Sequence, residues 1–325
     1  MLWSPFFSAA EDVSLHQLAQ ELGLEMQWDP VSSRGSLVRD TTFFSFFPGT
    51  SFAVINFQRV IPIDPIYWAS GGGIMVPAKT ANRLQRLFPQ RDTDVDRRVS
   101  TIFIDPGHGG KDPGAIGRHT INGQEHILQE KDVVLDVSRM LYEKLRTRYP
   151  DRNIVMSRSD DRYIELIDRY EMANAIPVEP NDSILFVSIH ANASINSRAQ
   201  GFEVWYLPPE FRRTLISEED FGGRQEVVPI LNSMLEEEFT IQSILLGQSI
   251  LDSLDRHVGT TVPNRGLKQE TFAVVRGARM PSVLVELGFL TNKEEFTLLR
   301  QEDYLLQIAE GIYNGVHDFI YSFEQ

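Results

Sequence analysis

The chain contains no cysteine. That excludes disulfides, thiolate nucleophiles and cysteine metal ligands, while leaving the compartment open. Bases are also scarce: 31 Lys and Arg stand against 45 Asp and Glu, a formal net charge of −14. Nucleic-acid binding needs a basic stripe to neutralise phosphates, so that class of partner is excluded. The same balance disfavours attraction to an anionic lipid surface. No apolar run approaches the roughly 18–20 residues that a membrane-spanning helix requires. Residues 1–13 lack a basic start followed by a hydrophobic run, so no signal peptide is expected within this chain.

What is present is a composition for folding. At 325 residues, 42% apolar and 23% charged, the chain can bury one large core or two smaller ones. Residues 1–90 predict a small α+β accessory domain. Ser14 is placed to cap a helix over Leu15–Leu22, and short strands are expected at Glu25–Trp28, Thr41–Phe47, Phe52–Phe57 and Val60–Ile63. A second helix is expected from Thr80 to Leu87, ahead of Pro89. Residues 91–99 are charged and poor in apolar side chains, which marks a linker. From 100 to 325 apolar strands alternate with amphipathic helices, the pattern of an α/β domain with a mostly parallel twisted sheet and helices on both faces.

Three apolar runs in this second region end in chemistry. Thr101-Ile-Phe-Ile runs into Asp105-Pro-Gly-His108, and Ile184-Leu-Phe-Val-Ser-Ile ends at His190. Val283-Leu-Val285 delivers Glu286. Open α/β sheets keep their reacting groups at the carboxyl ends of their strands. His108, Glu130 and His190 form a candidate metal set, since two imidazoles and one carboxylate suit a single Zn²⁺ with a fourth position left for water. Glu286 is the candidate proton shuttle, its pKa raised by the apolar strand that carries it. A lone histidine at a strand end is more often structural, and two such junctions in one domain shift that balance. No His-Glu-x-x-His occurs, and His126 is set aside because Gly123 and its polar neighbours argue against a helix shared with Glu130. The glycine-rich loop around His108 fits neither phosphate template: Asp112 replaces both the third dinucleotide glycine and the P-loop Ser/Thr.

These segments together resemble the zinc-dependent N-acetylmuramoyl-L-alanine amidases. The resemblance rests on Asp105-Pro-Gly-His108-Gly-Gly-Lys-Asp-Pro-Gly, Glu130-Lys-Asp-Val, Ser188-Ile-His190-Ala-Asn-Ala, Asn264-Arg-Gly-Leu-Lys and Pro281-Ser-Val-Leu-Val-Glu286-Leu-Gly-Phe. It implies that His108, Glu130 and His190 hold one zinc, that Glu286 is catalytic, and that the substrate is the muramoyl–L-alanine amide of peptidoglycan. It further implies a role in cell-wall remodelling outside the cytoplasm. The first ninety residues resemble, more loosely, the copper-amine-oxidase-like N-terminal module of envelope proteins. Two alternatives follow from the same residues: a zinc hydrolase of this fold acting on another amide, and an inactive peptidoglycan-binding homologue.

One stretch breaks the rhythm. Residues 208–241 are too long for an ordinary α/β connection and are acidic. The stretch and the helix beyond it resemble the regulatory segment of cell-division amidases, which implies an autoinhibitory lid relieved by an activator protein. Glu218, Glu219, Glu226, Glu236, Glu237 and Glu238 are then candidates to occupy the open metal position. A solvated acidic helix is the plainer reading of the same residues.

Overall fold

The computed structural model describes residues 12–30, 32–39, 42–56, 59–88, 97–179, 182–211, 213–215 and 228–324. The chain divides into two compact units, Met1–Arg97 with Gln325, and Arg98–Glu324.

The first unit opens with β1 (Val13–Ser14) and α1 (Leu15–Leu22). Ser14 holds the N-cap position with extended backbone, but its side chain makes no capping bond. A meander follows: β2 (Glu25–Asp29), β3 (Arg34–Arg39), β4 (Thr42–Phe46), β5 (Phe52–Ile55) and β6 (Arg59–Pro62) pair antiparallel in sequence order. The strand over Arg34–Arg39 was not expected. Its apolar residues are few, yet Leu37 and Val38 are buried against the neighbouring strands. Finally β7 (Tyr67–Trp68) and β8 (Ile74–Val76) complete a three-stranded sheet with β1, and α2 (Ala78–Leu87) closes the unit. Leu15, Leu18, Leu37, Phe44, Phe46 and Leu84 centre its core.

The second unit is built on six strands. In chain order they are β9 (Arg98–Pro106), β12 (Asn153–Met156), β13 (Asp182–Asn192), β14 (Phe202–Tyr206), β15 (Asn264–Gln269) and β16 (Ser282–Phe289). Between β9 and β12 lie a hairpin, β10 (Ile116–Ile121) and β11 (Gln124–Gln129), and helix α3 (Glu130–Arg148). The spatial order is β12-β9-β13-β16-β14-β15. Four of the five pairings are parallel, and β14 runs antiparallel to β16.

The remaining helices are α4 (Leu166–Asn174), α5 (Val228–Val258), α6 (Ala273–Gly277), α7 (Lys293–Leu298) and α8 (Glu302–Phe323). Residues along each strand alternate between two separate cores, as the period of two demands. Ile102, Ile104, Leu185, Val187 and Val285 pack with α3, α5 and α8. Phe103, Phe186 and Leu284 pack on the other face with α4 and α6. Phe103 and Phe186 sit opposite each other in register, their rings stacked at 5.5 Å.

The acidic stretch does not form one loop. Val228 to Val258 is a single helix of 31 residues, so the helix already begins inside the stretch read as a long connection. Leu231, Met234, Leu235, Phe239 and Leu246 recur at helical spacing and are buried, which holds the first half of α5 against the fold. Residues 216–227, with Glu218, Glu219 and Glu226, lie outside the described residues. No described helix is long and apolar enough to cross a membrane.

Candidate metal centre and active site

Strands β9, β13 and β16 run parallel, so their carboxyl ends share one edge of the sheet. His108 follows the end of β9, His190 lies near the end of β13, and Glu286 occupies the β16 position paired with His190. Glu130 arrives by another route, as the first residue of α3, where the helix dipole favours a carboxylate. The hairpin β10–β11 returns the chain to that edge just before it.

The geometry converges on one oxygen. His108 Nε2 lies 3.1 Å from Glu130 Oε1, and His190 Nδ1 lies 3.0 Å from the same atom. The two imidazoles meet edge to face, centroids 5.0 Å apart. Donor atoms of all three residues lie within 4.8 Å of one another, a group that could hold one divalent metal ion. Glu130 is further fixed by the backbone N–H of Ala191, 3.0 Å from Oε1, and that of Ala115, 2.8 Å from Oε2. Burial alone would raise its carboxyl, but hydrogen bonds and charge from His108 and His190 outweigh it and hold Glu130 far below the ordinary carboxylate range. For His108 burial disfavours the cation, yet Glu130 and Asp112 more than offset it and raise the imidazole pKa.

Two residues beneath this site went unrecognised in the sequence. His108 has φ of +58°, a left-handed conformation that costs a non-glycine residue roughly 1–3 kcal/mol. Arg169 and Arg158, both buried, hold the strained loop through its carbonyls. Arg169 donates from Nη2 to His108 O at 2.5 Å and from Nη1 to Pro106 O at 2.6 Å. Arg158 Nη2 donates to Gly107 O at 2.7 Å. Asp105, fully buried, accepts from Arg169 Nη1 at 2.8 Å and from Ser157 Oγ at 2.6 Å, which balances one of the two charges. A third unrecognised residue, Asp112, lies 2.8 Å from His108 Nδ1 and so fixes which ring nitrogen faces Glu130. The glycines fit closely: a Cβ on Gly107 would stand 2.3 Å from the His190 ring, and one on Gly114 2.5 Å from Glu130 Oε2.

Glu286 is placed differently from the three. Its Oε2 is buried with no hydrogen-bond partner, and its pKa is raised well above the ordinary carboxylate value. Burial is the main cause, with the charges of Glu130 and Glu203 adding to it.

The structure does not bring Glu236, Glu237 or Glu238 into the metal-ligating group, which among the described residues contains Glu130 as its one carboxylate. Glu236 is buried and accepts from Arg213 Nε at 2.6 Å. Glu238 is buried and bonded to Gln242 one turn on. Neither belongs to a solvated face. His126 lies on β11, consistent with its exclusion, and its Nδ1 faces Arg300 at 3.1 Å.

Fold and site define an open α/β protein with a His–Glu–His group and a protonatable buried carboxyl at the carboxyl edge of its sheet. Comparison with known proteins gives the particular family. Residues 102–318 match the N-acetylmuramoyl-L-alanine amidase family model. The amidase AmiA of Escherichia coli is 30% identical over 262 residues, covering 76% of this chain and 83% of that protein. The solved structure of the amidase AmiC2 of Nostoc punctiforme is 29% identical with a TM-score of 0.51, covering 68% of this chain and 97% of that one. The CwlD amidase from Clostridioides difficile, solved in complex with the GerS lipoprotein, is 27% identical with a TM-score of 0.50 and covers 68% of this chain and 98% of its own. The chain belongs to the N-acetylmuramoyl-L-alanine amidase family: it is a peptidoglycan amidase.

Proposed function

We propose that His108, Glu130 and His190 hold one Zn²⁺ and that Glu286 carries the proton for cleavage of the bond between N-acetylmuramic acid and L-alanine. The observation that carries this reading is three donors within 4.8 Å of one another beside a buried carboxyl oxygen that has no partner. Two imidazoles with one carboxylate suit zinc better than an all-oxygen set would, and they favour it over magnesium or calcium. The ion, when bound, supplies Lewis acidity to the amide carbonyl and to water.

The protein's own groups do the rest. Glu286 accepts the proton of the attacking water and returns it to the departing L-alanine nitrogen, a task that its raised pKa suits at neutral pH. Asp112 holds the His108 ring in the orientation that ligation needs. Arg158 and Arg169 keep the loop carbonyls turned away from the site.

Peptidoglycan lies outside the cytoplasm, and we place the enzyme there, at the periplasm or cell wall. Residues 1–90 serve as an accessory domain, joined through 91–97 to the catalytic domain, whose first strand begins at Arg98. An autoinhibitory carboxylate from 208–241 is assigned to Glu218, Glu219 or Glu226, since Glu236, Glu237 and Glu238 lie on α5 outside the metal-ligating group and Glu236 and Glu238 already have partners. A protein activator fits that arrangement, and the related CwlD amidase was solved bound to another protein. The test joins metal analysis of the purified chain to mass spectrometry of digested peptidoglycan. One zinc per chain and peptides beginning with free L-alanine, released from intact glycan strands, are expected. Cleavage within the peptide, or turnover that survives removal of metal, would overturn the proposal.

A further inference from the structure

Away from the metal centre, a cavity of about 310 Å³ opens between α4, α6 and the segment after β14. Three guanidinium groups, Arg213, Arg276 and Arg279, line it together with Thr214 and Glu171. Such a cluster is unexpected in a chain of net charge −14. The cavity lies at the opposite edge of the sheet from the hydrolytic site. Arg276 and Arg279 precede Ser282, the first residue of β16, and Glu286 lies four residues further on, about 13 Å along the strand.

The site is built rather than incidental. The Arg213 side chain is only 7% exposed, its Nε committed to Glu236 and its Nη1 to the carbonyl of Ala278. Its Nη2 has no partner among the described residues. Asn174 pins the same loop from the other side, donating to Gly277 O at 3.0 Å and accepting from Arg279 N at 2.8 Å. The loop is therefore fixed while the side chains it presents are free: neither Arg276 nor Arg279 has a side-chain partner among the described residues. Fixing the loop in advance reduces the ordering cost of binding.

We propose that this cavity binds a phosphoryl oxyanion. Guanidinium forks match phosphate and carboxylate alike. A planar carboxylate, though, is satisfied by one fork. Three guanidiniums arriving from two segments, Arg213 from one and Arg276 and Arg279 from the other, suit a tetrahedral anion that accepts from several directions. The cavity has room for about ten waters, enough for one phosphoryl group and a short attached chain.

The test is calorimetric titration of the zinc-loaded full chain at low ionic strength with inorganic phosphate, beside the variant Arg276→Ala/Arg279→Ala. Saturable binding that weakens at least ten-fold in the variant is expected. Phosphate held at the metal centre would persist there, so the difference isolates the cavity. Basal amidase activity in phosphate-free buffer should match the parent and reports that the variant is folded; Arg276→Gln alone replaces it if it is not. Glycerol phosphate separates the sources: binding as tight as inorganic phosphate assigns the site to an esterified group, and weaker binding to the free ion. Equal affinity for acetate, or phosphate binding unchanged by the substitutions, would overturn the proposal.

Discussion

Glu203 and Glu286 face each other across the antiparallel pairing of β14 and β16. Only one of them is neutralised. Glu203 accepts from Arg265 Nε at 2.6 Å and from Asn192 Nδ2 at 2.8 Å, and it pairs with Lys268 as well. Glu286 Oε2 has no partner. Like charges set opposite one another in a sheet are destabilising. The fold thus stabilises one carboxylate and raises the proton affinity of the other, an acid–base difference made by environment.

The substitution Glu286→Gln should separate chemistry from stability. Turnover should fall by about 10²- to 10⁴-fold, the usual contribution of a positioned acid–base group, with zinc content unchanged. In metal-free protein the same change should raise thermal stability at neutral pH. The folded-state pKa of Glu286 lies above its unfolded value, so the native form binds more protons between the two. Stability of the parent therefore falls as pH rises through that interval, and glutamine escapes the loss. Thermal melts at pH 4 and pH 7 check this: the two proteins should converge at the lower pH. A glutamine variant no more stable at pH 7 would contradict the assignment.

Metal affinity should weaken with acid earlier than for ordinary histidines. A ligating imidazole must be neutral, and the pKa of His108 is raised in the metal-free site. Protons then compete at a pH above the usual value of about 6.5. Chelator competition across pH 5.5 to 8 reads this directly. The variant Asp112→Asn removes one of the charges that raise His108 and loosens its ring. It should shift the onset of competition to lower pH while lowering affinity at pH 8 by about 10- to 100-fold.

Arg169 should matter to folding as much as to the site. Its guanidinium balances the buried Asp105 and holds the carbonyls of Pro106 and His108. Arg169→Ala would leave an unpaired buried carboxylate, a loss of about 3–5 kcal/mol by denaturant titration. Arg169→Lys keeps the charge but not the fork, so it should recover part of the stability while metal affinity stays reduced. Full recovery of both would show that charge alone is required.

The strand-end residues were legible because each terminates an apolar run: Ile102–Ile104 before Asp105, Leu185–Ile189 before His190, Val283–Val285 before Glu286. The supporting shell was not. Arg158, Arg169 and Glu236 look like surface residues in sequence, and their partners lie many positions away. Arg169 meets Asp105 across 64 residues, and Glu236 meets Arg213 across 23. The hairpin β10–β11 was missed despite a local signal. Asn122 and Gly123 both have positive φ, as an Asn-Gly turn between two strands requires, but the strands it joins are largely polar and show no apolar alternation. Local pattern revealed which strands end in chemistry, and only the folded chain showed which charges are buried to hold them.

The assignment of autoinhibition to Glu218, Glu219 and Glu226 predicts a gain of function. A carboxylate at the metal would exclude water from the position that hydrolysis needs. Replacing all three with glutamine should raise the basal rate on purified peptidoglycan, by about ten-fold for each 1.4 kcal/mol of inhibitory contact removed. The effect should appear chiefly as a lower KM with kcat little changed, because only the open enzyme takes substrate and apparent KM falls as the open fraction rises. Glu236→Gln is the control. That carboxylate already accepts from Arg213, so its loss should lower stability and leave the basal rate unchanged. A triple variant that folds, retains zinc and shows the parent's rate would remove these carboxylates from regulation.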